Sequence, residues 1–282
     1  MKRSSRKAAP RGKRTRLPFL VVDVGNSETL VGLFQGETLA GHWRMVSRPR
    51  TADEVSLLVA EMVGEERIRA GLGEAVLSSV VPMATRDFAA ALEQLTGRPA
   101  IVVDHRTKGG IPVRIQDPSS VGPDRLANAI AVRALYGTPA IVVDLGTATT
   151  FDVVGPRGDY LGGAIAPGVM TSSEELFRRA ARLARVELEL PERAIGRTTQ
   201  ESLQAGILLG TAGMVDALVR RIARELGRKP RVVATGGLAP IVAPACRTVE
   251  VVDEWLTLHG LRILHETAKR NGKRGSRRQG RR

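Results

Sequence analysis

The same ten-residue pattern occurs twice in this chain, and that repeat constrains the fold more than any other feature. VVDVGNSETL at 21–30 and VVDLGTATTF at 142–151 each join two apolar runs through a short turn that contains a glycine. Such a pattern predicts a β-hairpin in each copy. Asp23 and Asp144, which precede the two turns, are 121 residues apart. A turn repeated after nearly half the chain predicts an internal duplication.

The sequence after each hairpin repeats as well. A third strand follows in each copy, and then helices alternate with strands. Capping-box patterns at 51–54 and 198–201 predict the start of one helix in each half. We therefore predict two similar α/β halves, at 17–137 and 138–268, that face each other across a cleft. The repeated turn would then lie once on each wall of that cleft.

The two turns suit the phosphate chain of a nucleoside triphosphate. Glycine in a short turn lets backbone N–H groups approach phosphate oxygens closely. An aspartate at the end of the preceding strand can hold a metal ion or its water shell. The double glycine at 236–237 can approach the nucleoside, and hydroxyl donors stand at Ser27, Thr147, Thr149 and Thr150. Two aligned turns followed by this double glycine predict a nucleotide-binding cleft.

The formal net charge of +14 comes from the two ends of the chain. Residues 1–16 and 269–282 each hold eight Lys or Arg and no acidic residue, which leaves 27 of the 43 basic residues against all 29 acidic residues between them. We expect both ends to be basic disordered tails, because they have nothing to bury. They are interpreted either as solubilising ends or as loose electrostatic contacts with nucleic acid or an anionic membrane.

Several classes of protein are disfavoured by composition. The apolar run at 17–25 is too short for a membrane span and contains an aspartate. The one cysteine, Cys246, allows neither an internal disulfide nor a cysteine-based zinc site. The four histidines are scattered, without the spacing of metal ligands. We therefore expect a cytoplasmic protein without a membrane partner.

These motifs resemble those of type III pantothenate kinases, in the superfamily of acetate and sugar kinases, Hsp70 and actin. The resemblance extends from about residue 19 to 265 in the family's order, and its main segments are DVGNS (23–27), VGPDR (121–125), VDLGTATTFDVV (143–154), YLGGAIAPG (160–168) and ATGGLAP (234–240). It implies an α/β fold of two duplicated ribonuclease H-like (actin-like) domains that face a central nucleotide cleft. It also implies ATP-dependent phosphorylation of pantothenate to 4′-phosphopantothenate, the first step of coenzyme A biosynthesis.

The resemblance assigns roles to individual residues. Asp124 would be the general base. Asp144 would bind a monovalent cation, K⁺ or NH₄⁺, and Asp23 would support the Mg²⁺ that accompanies ATP. The residues implied in binding ATP are Asp23, Val24, Gly25, Asn26, Ser27, Glu28, Thr29, Leu30 and Thr147, and those implied in binding pantothenate are Gly122, Pro123, Asp124, Arg125 and Thr199.

Two departures from the family pattern leave other functions open. Ile115 stands where the family usually has tyrosine, and Ser120 where it commonly has glutamate. A kinase for another small hydroxylated metabolite is one alternative. A non-catalytic homologue that acts as a nucleic-acid-associated regulator is another.

A row of small residues bears on assembly. Glycines recur at 206, 210 and 213 along one face of the long predicted helix. Glycine inside a helix costs up to about 1 kcal/mol relative to alanine. We therefore expect this strip to pack closely at a domain or subunit interface, and the resemblance implies a homodimer.

Overall fold

The first half of the chain contains a five-stranded sheet with helices on both faces. The computed structural model describes residues 17–107, 110–180, 183 and 185–279. A 3₁₀ turn at Pro118–Ser120 leads into the last helix of this half. The elements are β1 (Phe19–Val24), β2 (Glu28–Gln35), β3 (Thr38–Val46), α1 (Ala52–Val63), α2 (Glu65–Ala70), β4 (Ala75–Ser79), α3 (Pro82–Thr96), β5 (Ile101–Val102) and α4 (Pro123–Leu135).

The second half begins with the same strand–turn–strand–strand unit. A π-helical segment, Ala205–Leu209, joins two helices into one continuous rod. The elements are β6 (Ala140–Leu145), β7 (Ala148–Val154), β8 (Tyr160–Pro167), α5 (Val169–Arg179), α6 (Thr199–Gln204), α7 (Gly210–Leu226), β9 (Arg231–Thr235), α8 (Ala239–Val242), β10 (Val251–Val252) and α9 (Leu256–Gln279).

Within the described ranges, the strands form two sheets with the same topology. The first has the order β3-β2-β1-β4-β5, and the second has β8-β7-β6-β9-β10. β1 is antiparallel to β2 and parallel to β4, as β6 is to β7 and β9. In both central strands the aspartate, Asp23 or Asp144, is the one residue of intermediate exposure, and the other residues are buried. The predicted duplication and α/β fold are confirmed.

Three apolar cores hold these layers together. One fills the outer face of the first sheet beneath α1 and α3, and another fills the outer face of the second sheet beneath α7 and α8. The central core contains residues of both sheets together with α4 and α9. Since this core belongs to both halves, it fixes the two walls of the cleft relative to each other.

Helix α9 returns to the first half of the molecule and packs along α4. Gly260 makes the close contact possible, because a Cβ there would overlap the carbonyl oxygen of Ala127. Farther along α9, His265 Nε2 lies 2.7 Å from Glu74 Oε2, and Lys269 Nζ lies 2.9 Å from the same oxygen. The domain boundary at 137/138 stays a prediction. Helix α9 belongs to the second half of the sequence, but it packs on the first half and so connects the two.

The C-terminal tail differs from its expectation. We expected residues 269–282 to be disordered, but α9 continues through Gln279. Lysine and arginine are good helix formers, and positive charge is favourable at a helix C-terminus, so a docked helix can extend into this basic segment. The expected tail at 1–16, like residues 280–282, lies outside the described residues.

The predicted helix starts are mostly confirmed. Both capping boxes form: Thr51 and Glu54 cap α1, and Thr198 and Glu201 cap α6. Helix α5 begins at Val169, and the Ser172 N–H donates to the Gly168 carbonyl in its first turn.

The long helical rod at Thr199–Leu226 is the one segment in the described part of the chain with the length and mean hydropathy of a membrane span. Its buried residues pack in the core of the second half, as those of a core helix do. Length and composition alone are weak support for a membrane segment, and we assign none.

Candidate active site

The two repeated turns meet in the cleft. Thr147 Oγ1 in the second turn donates a hydrogen bond of 2.8 Å to Ser27 Oγ in the first. The first turn is tight, since a Cβ on Gly25 would lie 2.8 Å from the Glu28 carbonyl oxygen. Thr171 Oγ1 holds the second turn through the Thr147 carbonyl, at 2.8 Å. The sequence-based expectation that the turns face each other agrees with this contact.

Asp23 and Asp144 lie just before the two turns, each next to the end of its strand. Oδ1 of Asp23 is buried and has no hydrogen-bond partner among the described residues. Asp144 Oδ2 accepts a hydrogen bond from Asn128 Nδ2 at 3.0 Å, and Asn128 Oδ1 accepts one from Thr257 Oγ1 at 2.8 Å. Helices α4 and α9 thereby fix the orientation of Asp144.

The double glycine after β9 forms the floor beside Asp144. Gly236 has a φ of +89°, and a Cβ there would lie 2.6 Å from Asp144 Oδ1. A side chain at this position would therefore be strained and would collide with the carboxylate. The two turns and the Gly-Gly segment, which are distant in sequence, are therefore neighbours in the cleft.

Asp124 and Arg125 lie in the first turn of α4 and face the same region. The Arg125 N–H donates to Asp124 Oδ1 at 2.8 Å. Arg125 Nε donates to Asp152 Oδ1 at 2.7 Å, and the Tyr160 hydroxyl donates to the same oxygen at 2.8 Å. Asp152 is fully buried, so Arg125 is the cation that compensates its charge. The Nε atom of Arg125 is therefore engaged by Asp152. The N–H groups on its two Nη atoms do not take part in that bond.

The four carboxylates influence one another electrostatically. Burial, followed by the charge of Asp124, raises the pKa of Asp23 to about 8. Burial, followed by the charges of Asp124 and Asp152, raises the pKa of Asp144 to about 7. Burial also raises the pKa of Asp152 to about 6, although Arg125 opposes this shift. Burial raises the pKa of Asp124, again against Arg125. Additional positive charge would stabilise this cluster in its ionised form.

The cluster fits cations that share their coordination with a ligand. In the described part of the chain, no group of three or more His, Cys, Asp or Glu side chains is arranged as a metal site. Mg²⁺ in nucleotide sites usually takes only one or two carboxylates together with phosphate oxygens and water. The unpartnered Asp23 oxygen suits such a role, and Asp144, with one amide partner, has capacity for a second cation.

The residues expected to bind ATP differ in exposure. Asn26, Ser27 and Glu28 are exposed at the cleft, whereas Val24 and Thr29 are buried. The Thr29 hydroxyl is 2.8 Å from Ser47 Oγ. Val24 has an apolar side chain and the Thr29 hydroxyl is already paired, so these two residues can offer a ligand only their backbone. Gly25 supplies the tight turn, Asp23 the buried carboxylate, and Leu30 packs against the central core.

The residues expected to bind the acceptor are only partly brought together. Gly122 caps α4, Pro123 is its first residue, and Asp124 and Arg125 follow directly. Thr199 is exposed at the start of α6. Among the described residues, no hydrogen bond or ion pair joins it to Asp124 or Arg125.

Three polar residues of the cluster escaped the sequence analysis. Asp152 lies in the apolar strand β7, Asn128 lies on the buried face of α4, and Tyr160 begins β8. The sequence signal for Asp152 and Asn128 is a charged or amide side chain within an otherwise apolar run. Ile115, where the family usually has tyrosine, packs against the central core, with Cγ2 3.3 Å from a Cβ built on Gly162.

Solved structures share this architecture. A ROK family glucokinase from Streptomyces griseus in complex with glucose and AMPPNP superimposes with a TM-score of 0.54 at 11% identity, covering 90% of this chain and 99% of that one. MreB 5 of Spiroplasma citri bound to AMPPNP also gives 0.54 at 11% identity, covering 94% and 100%. The chain therefore has the actin-like fold.

Sequence comparison assigns the family. A model described as type III pantothenate kinase matches residues 19–221. A protein named type III pantothenate kinase from Acidothermus cellulolyticus is 46% identical over 250 residues, covering 88% of this chain and 98% of that protein. This chain belongs to the type III pantothenate kinase family.

Proposed function

We propose that this protein transfers the γ-phosphoryl group of ATP to the 4′-hydroxyl of pantothenate in the cytoplasm. The products are ADP and 4′-phosphopantothenate, and the reaction is the first step of coenzyme A biosynthesis. Family membership supports the substrate pair. The observation that carries the mechanism is the position of Asp124, which is close enough to Asp23 and Asp144 for its charge to act on both. These two aspartates precede the turns that meet through Ser27 and Thr147.

Asp124 is proposed as the general base. The hydroxyl oxygen of the acceptor attacks the γ-phosphorus, the bond from that phosphorus to the β–γ bridging oxygen breaks, and ADP leaves. The hydroxyl proton passes to the Asp124 carboxylate. Phosphoryl transfer needs mainly positioning and charge stabilisation, so one well-placed carboxylate is sufficient for the proton. The rigid start of α4 supplies that placement.

The acceptor is proposed to bind at the start of α4. The free N–H groups of Arg125 can hold the carboxylate of pantothenate, because a guanidinium forms strong charge-assisted hydrogen bonds with carboxylates. Gly122 and Pro123 would line this site. The proposed contact of Thr199 rests on the family resemblance alone.

Asp23 is proposed to support Mg²⁺ with ATP, and Asp144 to hold a monovalent cation, K⁺ or NH₄⁺. The unpartnered oxygen of Asp23 and the amide-oriented carboxylate of Asp144 support these assignments. Cations there would neutralise negative charge on the phosphates and on the acidic cluster. The backbone of the turn at 23–30, with Thr147, is proposed to bind the phosphate chain.

A homodimer is proposed for the assembly. Gly206, Gly210 and Gly213 have open space around them in the described chain, so no part of it provides the close packing that the strip predicts. Beside them lies an apolar groove of about 390 Å³ between α5 and the α6–α7 rod, with Leu176 and Met214 in its lining. A second copy that covers this surface would account for the unpacked glycines.

The direct test is an assay that couples ADP release to a readout, with pantothenate as the acceptor. We expect pantothenate-dependent ADP formation that requires Mg²⁺ and is stimulated by K⁺ over Na⁺. Mass spectrometry should identify 4′-phosphopantothenate. ADP release that does not depend on pantothenate would contradict the proposal.

Ile115 is the observation that favours another acceptor. It stands where the family usually has tyrosine, so the tyrosine phenol is not present at this position. A panel of small hydroxylated metabolites in the same assay tests this alternative, and a higher kcat/KM for one of them would support it. Removal of residues 1–16 and 271–282 tests the regulator alternative. Activity should survive this truncation, and any nucleic-acid binding by the basic ends should disappear.

A further inference from the structure

Arg44 lies at the mouth of the cleft, beside the first turn. It is on β3, opposite Leu30 of β2. Its Nη1 atom donates a hydrogen bond of 3.0 Å to Glu28 Oε2. One third of the Arg44 side chain is exposed, so the side chain is open to solvent. A positive charge is thereby held next to residues proposed to bind ATP.

The same guanidinium reaches the opposite wall. A Cβ on Gly237 would lie 2.7 Å from Arg44 Nη1, so the double glycine leaves the space through which Arg44 passes. Arg44 Cζ is 6.0 Å from the Trp255 ring centroid, and the Trp255 and His42 rings are 4.1 Å apart. Arg44 is therefore positioned between elements of both halves.

Stability alone does not explain this arrangement. The Arg44–Glu28 pair is accessible to solvent, with half of the Glu28 side chain exposed, and pairs of this kind contribute little to folding. A guanidinium is, however, the side chain best matched to phosphate oxygens, because its planar fork can donate two parallel hydrogen bonds. Glu28 Oε2 engages one nitrogen of that fork through the 3.0 Å hydrogen bond.

We propose that Arg44 is a nucleotide-binding residue that exchanges Glu28 for a phosphate oxygen when the nucleotide binds. Glu28 then acts as an internal competitor for the guanidinium. This inference rests on the proposed kinase function, and it adds a binding residue from β3 to the two turns. Since Arg44 also lies against Gly237, bound nucleotide would connect the two walls through it.

Calorimetric titration of the full chain with ADP tests the exchange. Arg44→Gln should weaken ADP binding about tenfold or more, because it removes a charge-assisted hydrogen bond. Arg44→Lys, which keeps the charge and loses the fork, should have an intermediate effect. Glu28→Gln should increase the ADP affinity, because the competitor has lost its charge. In the kinase assay, Arg44→Gln should raise KM for ATP and leave kcat within about threefold.

The matched control is Arg69→Gln. Arg69 forms an exposed ion pair of 2.8 Å with Glu65 on α2, away from the cleft, and its loss should not change ADP affinity. Wild-type affinity in both Arg44 variants would overturn the inference. If Glu28→Gln and Arg44→Gln weakened ADP binding equally, the inference would also be overturned, because the ion pair would then have a structural role. A wild-type protein that binds no nucleotide would overturn the proposed function itself.

Discussion

At the residue scale, the chemistry depends on how few partners Asp124 has. Its carboxylate accepts a hydrogen bond from the Arg125 backbone N–H, and among the described residues no side chain is hydrogen-bonded to it. Burial raises its pKa from the ordinary value, which makes it a stronger base than an exposed aspartate. A carboxylate that is fixed at one oxygen and otherwise uncommitted suits the transfer of a proton.

Asp124→Asn should lower kcat by at least about 10²-fold, because it keeps the shape and removes the base. Nucleotide affinity should change little, since the two turns are intact. Steady-state kinetics with pantothenate and calorimetric titration with ADP measure the two effects separately. Asp87→Asn, on α3, is the control that removes a carboxylate away from the cleft. Turnover within about threefold of wild type would mean that another group accepts the proton.

Arg125 must be tested with a substitution that keeps its charge. Arg125→Ala would leave the fully buried Asp152 without its cation, at a cost of about 3–5 kcal/mol in stability. Arg125→Lys keeps the positive charge and loses the planar fork of donors. KM for pantothenate should therefore rise about tenfold, and this rise should be larger than the decrease in kcat. Kinetics at varied pantothenate measure this, and an unchanged KM would remove Arg125 from the acceptor site.

At the element scale, α9 is anchored through a buried histidine. His265 donates from Nε2 to Glu74 and is 2% exposed, and its ring is tilted by 33° against that of Phe19, with the ring centroids 4.2 Å apart. Lys269 and Glu266 are the other charged groups that act on it. Burial lowers the pKa of His265, although Glu74 opposes the shift. The neutral ring is therefore the form that fits this site.

His265→Gln tests this anchor through pH. A histidine whose pKa is lowered in the folded state contributes stability above its unfolded pKa of about 6.5, and this contribution is lost as pH falls. Glutamine can donate to Glu74 but does not titrate. The stability advantage of wild type over His265→Gln, measured by urea denaturation, should therefore shrink between pH 7.5 and pH 5. A constant difference would contradict a neutral histidine at this contact.

The glycine strip on the α6–α7 rod predicts an interface. Gly210→Leu adds a bulky side chain on that surface, and we expect light scattering at micromolar concentration to shift from a dimer to the 30.3 kDa monomer. Ala90→Leu, on the exposed side of α3, adds the same volume elsewhere and should leave the dimer intact. A wild-type monomer would contradict the dimer, and a Gly210→Leu dimer would place the interface elsewhere.

At the scale of the whole molecule, the acidic cluster links stability to cations. The pKa values of Asp23, Asp144 and Asp152, at about 8, 7 and 6, lie above the ordinary value of 3.8. A carboxyl with a raised folded-state pKa stabilises the fold most at low pH, and its contribution is lost as pH rises through that pKa. In cation-depleted buffer, the protein should therefore lose stability between pH 6.5 and 8.

K⁺ should reverse that loss if Asp144 binds it, because a bound cation stabilises the ionised carboxylate. We expect K⁺ to raise Tm at pH 8 more than Na⁺ does, and Asp144→Asn to abolish both the difference and the K⁺ stimulation of activity. Thermal melts with a chelator, with K⁺ and with Na⁺ measure the first effect. Equal Tm and equal activity in K⁺ and Na⁺ would contradict a specific monovalent site.

The sequence by itself determined the duplication, the hairpins, the capped helices and the two turns. Each of these follows from local pattern: alternating burial, a glycine that a tight turn requires, or a cap three residues before its partner. The family motifs also located Asp23, Asp124 and Asp144. These features were readable because each of their signals lies within a few consecutive residues.

Only the tertiary structure decided which distant groups meet. Arg125 pairs with Asp152, Thr257 reaches Asn128, His265 reaches Glu74, and Arg44 passes beside Gly237. The basic segment after residue 268, which composition marks as disordered, continues a helix that α4 and the first sheet already hold in place. Such contacts depend on how the two halves close around a shared core, and no local spacing in the chain encodes that closure.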